Sequence, residues 1–369
     1  MTRENPIKQL LQDTRERWDH PGTAANIREN FLKIINCGTI ALGAEVFTSK
    51  TQLKLVYHTC KSRFCTSCGQ RATGAWQGYV GAMLPDVPYV AITFTMPKEF
   101  WPILQENRHL LHGIPAIGAE AIRLWVRSQC AVSVLILVVQ HTFGGLLNFY
   151  PHLHVLVSAG GLDESTGNWI ASLNYDARAL LELMQAWRYA VVAYVSEALK
   201  ARVLKSGMSP QEIGVMVEAQ YNREWNIHIS RRMSKAHFVK YVGRYIRRPP
   251  IAQHRLTRIT DQVVEYLAKD TRNSRFVNVR YSNDEFVAIL KKQVHGRGRH
   301  SMRYFGFLAP RTKARTWAAL FLSLKQKQGP LPCRLSWRYL LHKTFGIDPL
   351  MDSFGQEMHW RARLSPVTS

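Results

Sequence analysis

The chain of 369 residues is 46% hydrophobic and carries a formal net charge of +23, with 49 Lys and Arg against 26 Asp and Glu. This composition excludes a disordered polar chain, and the length is enough for two or three folded units. The surplus of positive charge favours a polyanionic partner, because neutralising phosphates releases their counterions, and nucleic acid is the leading candidate.

Neither a membrane span nor a signal peptide is visible in the sequence. The longest apolar run, AVSVLILVV at residues 131–139, is far too short to cross a bilayer. The N-terminal segment MTRENPIKQLLQDTRERW is polar and amphipathic, without the apolar centre of a signal peptide. We therefore expect no membrane partner and a cytoplasmic location.

The first motif along the chain is a group of cysteines in YHTCKSRFCTSCGQ, residues 57–70. Cys65 and Cys68 have C-x-x-C spacing, and Cys60 precedes them by five residues. Thiolates at this spacing reach one tetrahedral ion without backbone strain, which predicts a Zn²⁺ site. The flanking cations Lys61 and Arg63 indicate that this segment contacts phosphate.

The fourth zinc ligand has two candidates. Cys37, in INCGTIALG, would give a four-thiolate site and is favoured. His58 is nearer in sequence, but it alternates with apolar neighbours in the way that a strand residue does.

The middle of the chain alternates segments typical of strands and of helices. The predicted strands are residues 88–97, 131–142 and 222–232, and the predicted helices are residues 110–129 and 175–205. GGLLN, residues 144–148, is short enough for a hairpin and therefore predicts antiparallel neighbours.

The strand after this hairpin, in FYPHLHVLVSAGGL, holds His152 and His154. Side chains two residues apart point to the same face of a strand, so the two imidazoles face one point in space. This arrangement suits a metal ion, although a lone strand histidine is more often a satisfied core residue.

The segment SKAHFVKYVGRYIRRPPI, residues 234–251, predicts a helix that starts at Ser234 and stops before two prolines. Tyr241 and Tyr245 lie four residues apart and therefore on one face, with His237 one turn earlier. Ordinary amphipathic packing is the alternative reading of this spacing. Cations surround the pair and favour phosphate binding: Lys240, Arg244, Arg247 and Arg248.

The remaining residues predict a hairpin at 261–283, a helix at 284–296 and then a basic stretch that contains aromatic residues. Such a stretch suits single-stranded DNA, because bases stack on aromatic rings while cations follow the backbone. The alternative is a solvated basic face over a core. Its residues are Arg297, Arg299, Arg303, Arg311, Lys313 and Arg315, with Tyr304, Phe305 and Phe307.

Four stretches resemble the HUH endonucleases and, within them, the insertion sequence 91 family of rolling-circle transposases. They are HTCKSRFCTSCG, LNFYPHLHVLVSAGGL, KYVGRYIRRPPIA and RYFGFLAP, in the order that the family has. The resemblance implies an α+β protein in which an HUH domain has a central antiparallel sheet flanked by helices. It divides the chain into a small zinc-binding, DNA-contacting unit at residues 1–80, a catalytic domain at 85–250 and a basic accessory DNA-binding region at 251–369.

The resemblance also implies a specific chemistry. Family members cut single-stranded DNA by tyrosine attack, which leaves a 5′-phosphotyrosine and a free 3′-OH. Tyr241 and Tyr245 match the two nucleophile positions, and one of them could instead position phosphate. His152 and His154 match the metal-binding pair, which would hold Mg²⁺ or Mn²⁺. The third ligand is open between Gln140, His141 and His237.

Partners and alternatives follow from the same resemblance. The DNA would be the single-stranded ends of the element, with hairpins, in the bacterial cytoplasm close to the nucleoid. No G-x-x-x-x-G-K motif is present, so host replication or helicase factors would unwind the duplex. The alternatives are a plasmid or phage replication initiator or relaxase, and a zinc-containing relative that binds DNA without cutting it. The chain departs from many relatives in lacking a further C-x-x-C in EVFTSKTQLKL.

Overall fold

The computed structural model describes residues 5–62, 64–171, 173–246, 249, 251–269, 275–294, 296, 298, 300–327 and 336–367. Predictions that concern Arg63, Arg247, Arg248, Arg297 and Arg299 lie outside these residues. The side chains of Arg244 and Tyr245 are likewise not described.

The helices of the described part follow the apolar periodicity of the sequence. They are α1 (Pro6–Asp13), α2 (Ala25–Ile35), α3 (Thr66–Met83), α4 (Phe100–Glu106), α5 (Ile114–Gln129), α6 (Ala177–Lys200), α7 (Pro210–Glu218), α8 (Lys235–Ile246), α9 (Asn283–Gln293), α10 (Pro310–Ser323) and α11 (Trp337–Phe345). Among the described residues, no helix combines the length and the apolar character needed to span a bilayer.

The strands of the described residues form four antiparallel sheets. They are β1 (Ala44–Thr48), β2 (Leu53–Tyr57), β3 (Tyr89–Phe94), β4 (Val132–Ser133), β5 (Leu135–Phe143), β6 (Phe149–Ser158), β7 (Gly161–Asp163), β8 (Trp169–Ile170), β9 (Ile227–Ile229), β10 (Leu256–Ile259), β11 (Val263–Lys269), β12 (Phe276–Ser282), β13 (Met302–Gly306) and β14 (His359–Leu364).

A five-stranded sheet in the order β13-β5-β6-β3-β9 forms the centre of the molecule. The predicted hairpin joins β5 to β6, and each neighbouring pair is antiparallel. Both central strands are buried along nearly their whole length, as their near-continuous apolar sequences require. The structure thus confirms the α+β class with a central antiparallel sheet.

Different helices cover the two faces of this sheet. One face packs against α4, α5, α6 and α7, through large side chains such as Phe100 and Trp187. The other face packs against α3, α8 and α10, through Trp76, Phe238 and Trp317. Each face buries apolar area that is worth roughly 25 cal/mol per Å², so the sheet is fixed from both sides.

The N-terminal helices pack against a second sheet formed by β10, β11 and β12. Leu11 and Phe31 of the helices share one apolar cluster with Tyr266 of β11 and Phe286 of α9. The hairpin and helix expected at residues 261–296 are confirmed as β11, β12 and α9. A capping box at Ser282 starts this helix.

Two strands near the C-terminal end join sheets formed by earlier parts of the chain. β13 is an edge strand of the central sheet, paired with β5, and β14 pairs with β1. The domain boundaries predicted near residues 80 and 250 therefore do not coincide with boundaries between sheets. Strand pairing over such separations is fixed by packing, and no local pattern encodes it.

The aromatic residues of the basic stretch correct one expectation from the sequence. Phe307 is fully buried, and Phe305 packs against the core of the central sheet. The Tyr304 hydroxyl accepts a hydrogen bond from Trp76 Nε1 at 3.1 Å. The prediction that bases stack on these rings is therefore wrong for Phe307, and for the half-buried rings of Tyr304 and Phe305 it stays a prediction.

Candidate active site

The strand register of the central sheet brings three imidazoles together. His141 of β5 lies opposite His152 of β6, and His154 lies opposite both Val139 of β5 and Thr93 of β3. Directly paired residues point to the same face of an antiparallel sheet, as do residues two apart on one strand. His141, His152 and His154 therefore share one face.

The geometry of the three rings suits a metal ion. Ligand nitrogens of His141, His152 and His154 lie within 4.8 Å of one another. His152 Nε2 and His154 Nε2 are 3.2 Å apart, and the ring of His141 is centred 5.0 Å from that of His154. His141 and His152 are buried at 4% and 7% exposure, which keeps most water away from one side of the site.

Hydrogen bonds to the far nitrogens orient the histidine pair. His152 Nδ1 donates to the carbonyl oxygen of Tyr150 at 2.8 Å, which leaves Nε2 as the ligand atom. His154 Nδ1 lies 3.4 Å from Thr93 Oγ1. The second bond is longer, so Thr93 restrains the ring less tightly than the carbonyl restrains its neighbour.

Burial sets the protonation of the pair. It lowers the pKa of His152 to about 4, and burial together with the charge of His152 lowers the pKa of His154 to about 3. Both rings are therefore neutral at neutral pH, which is the form that ligates metal.

The three candidates for the third ligand lie in different places. His141 lies beside the pair. Gln140 points to the opposite face, as the next residue on a strand must, and donates to the Leu111 carbonyl oxygen at 2.9 Å. His237 lies in the first turn of α8, with Nδ1 3.3 Å from Ser234 Oγ. The structure brings only the first of these to the described imidazole cluster.

The tyrosine helix α8 covers the same face of the sheet as the histidines. Phe238 of α8 belongs to an apolar cluster with Val139 and Leu156, which lie two residues from His141 and His154 on their strands. Since residues two apart share a face, the helix and the imidazoles are on one side of the sheet.

Tyr241 is half-buried against that apolar cluster, one turn after Phe238. The backbone of α8 continues to Ile246, so Tyr245 occupies the next turn of the same helix. Lys240, beside Tyr241, is exposed.

A glycine between the tyrosines permits close packing of α8 on α3. A Cβ at Gly243 would lie 2.0 Å from Gln77 Nε2 and 2.5 Å from its Cδ. Gln77 in turn donates to the Val239 carbonyl oxygen at 3.3 Å. Any side chain at position 243 would displace the side chain of Gln77 and break its hydrogen bond to Val239.

Four thiols form a second cluster at the start of α3. Cys37 Sγ lies 3.6 Å from Cys68 Sγ and 3.7 Å from Cys65 Sγ, and Cys60 Sγ lies 3.6 Å from Cys68 Sγ. A tetrahedral ion with Zn–S bonds of about 2.3 Å has sulfur separations of about 3.8 Å. The thiols therefore fit a structural Zn²⁺ ion.

His58 takes no part in that cluster. Its Nε2 lies 3.1 Å from Glu45 Oε1, and its Nδ1 lies 3.1 Å from the Leu42 carbonyl oxygen. Hydrogen bonds among the thiols lower the pKa of Cys68 and raise the pKa of Cys60 and Cys65, because a thiolate accepts from its protonated neighbours. Lys61, beside the cluster, is exposed and has a positive φ of 55°.

The thiol cluster and the tyrosine helix are connected through α3. Cys68 lies in the first turn of α3, and the middle of this helix packs against α8 at Gln77. Ile251, shortly after α8, belongs to the same apolar cluster as Cys65 and Cys68. A metal ion held by the thiols would therefore fix the position of α3 and, through it, of α8.

Comparison with known proteins identifies the family. A family model described as "Putative transposase" matches residues 136–316, and one described as "Transposase zinc-binding domain" matches residues 7–96. The "Transposase for insertion sequence element IS801" of Pseudomonas savastanoi pv. phaseolicola is 28% identical over 383 residues, which cover 98% of this chain and 91% of the relative. The chain belongs to the insertion sequence 91 family of transposases.

A second relative of this transposase is the "Putative transposase y4qJ" of Sinorhizobium fredii (strain NBRC 101917 / NGR234), which is 26% identical over 308 residues. That alignment covers 80% of this chain and 77% of the relative. No solved structure matches the chain. The zinc-binding family model and the thiol cluster together support structural Zn²⁺ in this transposase.

Sequence reasoning missed two residues that shape the site of this transposase. Thr93 lies opposite His154, but only the register of β3 on β6 reveals it. Gly243 stands in YVGRY, where a glycine in a helix interior costs stability and so indicates a close contact. The loss of helix stability at Gly243 was the sequence signal from which this close contact could have been predicted.

Proposed function

We propose that this transposase cuts and rejoins single-stranded DNA at the ends of its insertion sequence, in a rolling-circle cycle with a 5′-phosphotyrosine intermediate. The observation that carries the proposal is the placement of three imidazoles on the sheet face that the tyrosine helix covers. In this proposal the protein is an HUH single-stranded DNA endonuclease and strand transferase.

The residues have distinct parts in the proposed reaction. The hydroxyl oxygen of Tyr241 or Tyr245 attacks the scissile phosphorus, a new O–P bond forms, and the bond to the 3′ oxygen breaks. The attacking tyrosine loses its hydroxyl proton, and the 3′ oxygen takes up a proton and leaves as a hydroxyl, so the numbers of protons and bonds balance. Reversal with another 3′-OH rejoins the strand without ATP, because the phosphotyrosine conserves the energy of the broken bond.

His152, His154 and His141 would hold Mg²⁺ or Mn²⁺ beside the scissile phosphate. The bound ion supplies charge neutralisation and polarises the phosphate. The protein supplies the fixed ring orientations described above and the neutral state of the imidazoles. Imidazole ligands favour Mn²⁺ over Mg²⁺, which is a harder ion.

Two tyrosines on one helix would allow the first cleaved end to stay attached while the second cut is made. Lys61 and Lys240 are exposed and would contact phosphates, and the same role for Arg63, Arg244, Arg247 and Arg248 stays a prediction. The DNA would be the single-stranded element ends with their hairpins, and host replication or helicase factors would supply unwinding.

The test is covalent capture of labelled single-stranded DNA that carries the element ends. Wild type with Mn²⁺ should form a protein–DNA adduct that survives denaturation, and the double variant Tyr241→Phe, Tyr245→Phe should form none. The single variants show which tyrosine attacks first. Tyr189→Phe, on the exposed side of α6, is the matched control and should react as wild type does.

Two results would contradict the proposal. An adduct that persists in the double variant, or that forms without a divalent ion, excludes this mechanism. Binding of the ends with no adduct under any metal would favour the zinc-containing relative that binds DNA without cutting it.

A further inference from the structure

The sheet formed by β14, β1 and β2 has an exposed edge strand that is rich in cations. Every residue of β14, from His359 to Leu364, is exposed. Trp360 is 59% exposed although it is the largest apolar side chain of the strand, and Arg361 and Arg363 follow it. An open aromatic ring beside cations is the combination with which proteins bind single-stranded nucleic acid.

Hydrogen bonds to β1 hold the tryptophan and one arginine in place. Trp360 Nε1 donates to Glu45 Oε2 at 2.8 Å, and Arg363 Nε donates to Glu45 Oε1 at 2.7 Å. His58 Nε2 lies 3.1 Å from the same Oε1. Glu45 itself is only 17% exposed at its side chain, so the indole and the guanidinium are anchored to a fixed group while their outer surfaces remain open to solvent.

The second arginine is anchored on the other face of this sheet, because Thr48 lies three residues after Glu45 on β1 and points the opposite way. Arg361 Nε donates to Thr48 Oγ1 at 2.9 Å. In the part of the chain that the structure describes, the hydrogen bonds of Arg361 and Arg363 run through Nε. Their Nη1 and Nη2 atoms therefore remain available to an acceptor such as a phosphate oxygen.

We propose that these residues form a platform for single-stranded DNA, in which a base stacks on Trp360 while backbone phosphates bind Arg361 and Arg363. We call this set of three residues the β14 platform. The inference rests on the proposed function for the kind of DNA, and it adds a site that lies outside the histidine and tyrosine cluster.

Charge and chemistry favour this occupant. Two guanidinium groups stand against one carboxylate at the platform, on a protein of net charge +23, so a polyanion is complementary to it. An open indole face accepts any unpaired base, and cations beside it follow the backbone. A base in a duplex cannot stack on the ring without being unpaired, so the platform distinguishes single strands from duplexes.

The test is fluorescence anisotropy with a fluorescein-labelled thymidine oligonucleotide, measured on the full chain without divalent ions so that no cleavage occurs. Trp360→Ala should weaken binding by about tenfold. Trp360→Phe, which keeps a ring for stacking, should stay within about threefold of wild type. The double variant Arg361→Ala, Arg363→Ala should reduce the slope of log K against log salt by about 1.4, since each lost phosphate contact removes about 0.7.

Matched controls lie on the helices at the far side of the central sheet. Tyr189→Ala removes an exposed ring from α6, and Arg127→Ala removes an exposed cation from α5. Neither should change binding. Circular dichroism and zinc content show whether Trp360→Ala is folded. If it is not, Trp360→Phe and the arginine double variant test whether the β14 platform binds the oligonucleotide.

Two results would overturn the platform. One is wild-type affinity in both Trp360→Ala and the arginine double variant. The other is an equal loss of affinity for a duplex of the same sequence, because that would exclude stacking. The adduct assay separates this inference from the proposed function. A tyrosine-dependent adduct, together with wild-type affinity in both Trp360→Ala and the arginine double variant, rejects the platform alone. Loss of affinity in these variants without a tyrosine-dependent adduct in wild type rejects the nuclease alone.

Discussion

The histidine pair of the candidate site and its neighbour His141 differ in how far the sequence could reveal them. His152 and His154 are visible from a period of two on a strand, and Tyr241 and Tyr245 from a spacing of four on a helix. His141 could only be one candidate among three, because its place beside the pair depends on the register of β5 on β6. A shift of one residue would have put Gln140 there instead.

We predict that His141→Ala weakens the binding of the metal ion on which adduct formation depends. Loss of a ligand should raise the Mn²⁺ concentration needed for half-maximal adduct by at least about tenfold. The control is His237→Ala, in the first turn of α8, which should need the same Mn²⁺ as wild type. The measurement is a Mn²⁺ titration of the adduct yield. A larger effect of the control variant would assign the third ligand to His237.

Among the elements, local patterns predicted the inner strands of the central sheet and several helices, but not its edge strand β13 or the edge strand β14. The hairpins β5–β6 and β11–β12 and the helix α8 lie where turn residues and apolar periodicity indicated. The edge strands β13 and β14 pair with partners far away in sequence. Their alternation is compatible with many partners, so the correct one emerges only from the assembled core.

The contact between β14 and β1 also gives the protein a dependence on pH. Hydrogen bonds from Trp360, His58 and Arg363 hold the pKa of Glu45 at about 2. Because this pKa lies below the value of an unfolded glutamate, the ionised group stabilises the fold at neutral pH, and that stabilisation is lost as the pH falls through the folded pKa.

We predict that Glu45→Gln lowers the Tm at pH 7 and that its difference from wild type narrows below about pH 4.5. Thermal unfolding followed by circular dichroism at pH 7 and at pH 3 measures the difference in Tm between the variant and wild type. Glu224→Gln, at an exposed position outside this network, is the matched control and should follow wild type throughout. A constant difference between Glu45→Gln and wild type from pH 7 to pH 3 would show that the carboxylate does not stabilise the contact through its charge.

For the whole molecule, the composition predicted a polyanionic partner. It did not predict that the C-terminal elements α11 and β14 pack onto the N-terminal residues that hold the thiol cluster. β14 completes the sheet of β1 and β2. α11 packs against α3, the helix whose first turn holds Cys68 of the thiol cluster. Phe47 of β1 contacts Trp337 of α11, with ring centroids 6.0 Å apart. Ser49 Oγ donates to Asp352 at 2.7 Å and fixes the β1–β2 turn to the same segment.

Removal of the chain from residue 336 onward should therefore destabilise the zinc-bearing unit although all four thiols remain. The truncated protein loses one strand partner of β1 and the cover of Phe47, so we expect its Tm to fall by at least about 4 °C. We also expect zinc to pass more quickly to a chelator, because α3 loses the support of α11. A chain that ends at Leu364 keeps β14 and should match the full protein in both measurements. If the longer truncation also keeps its Tm and retains zinc at the full-length rate, the N-terminal residues fold around the thiols without the C-terminal segment.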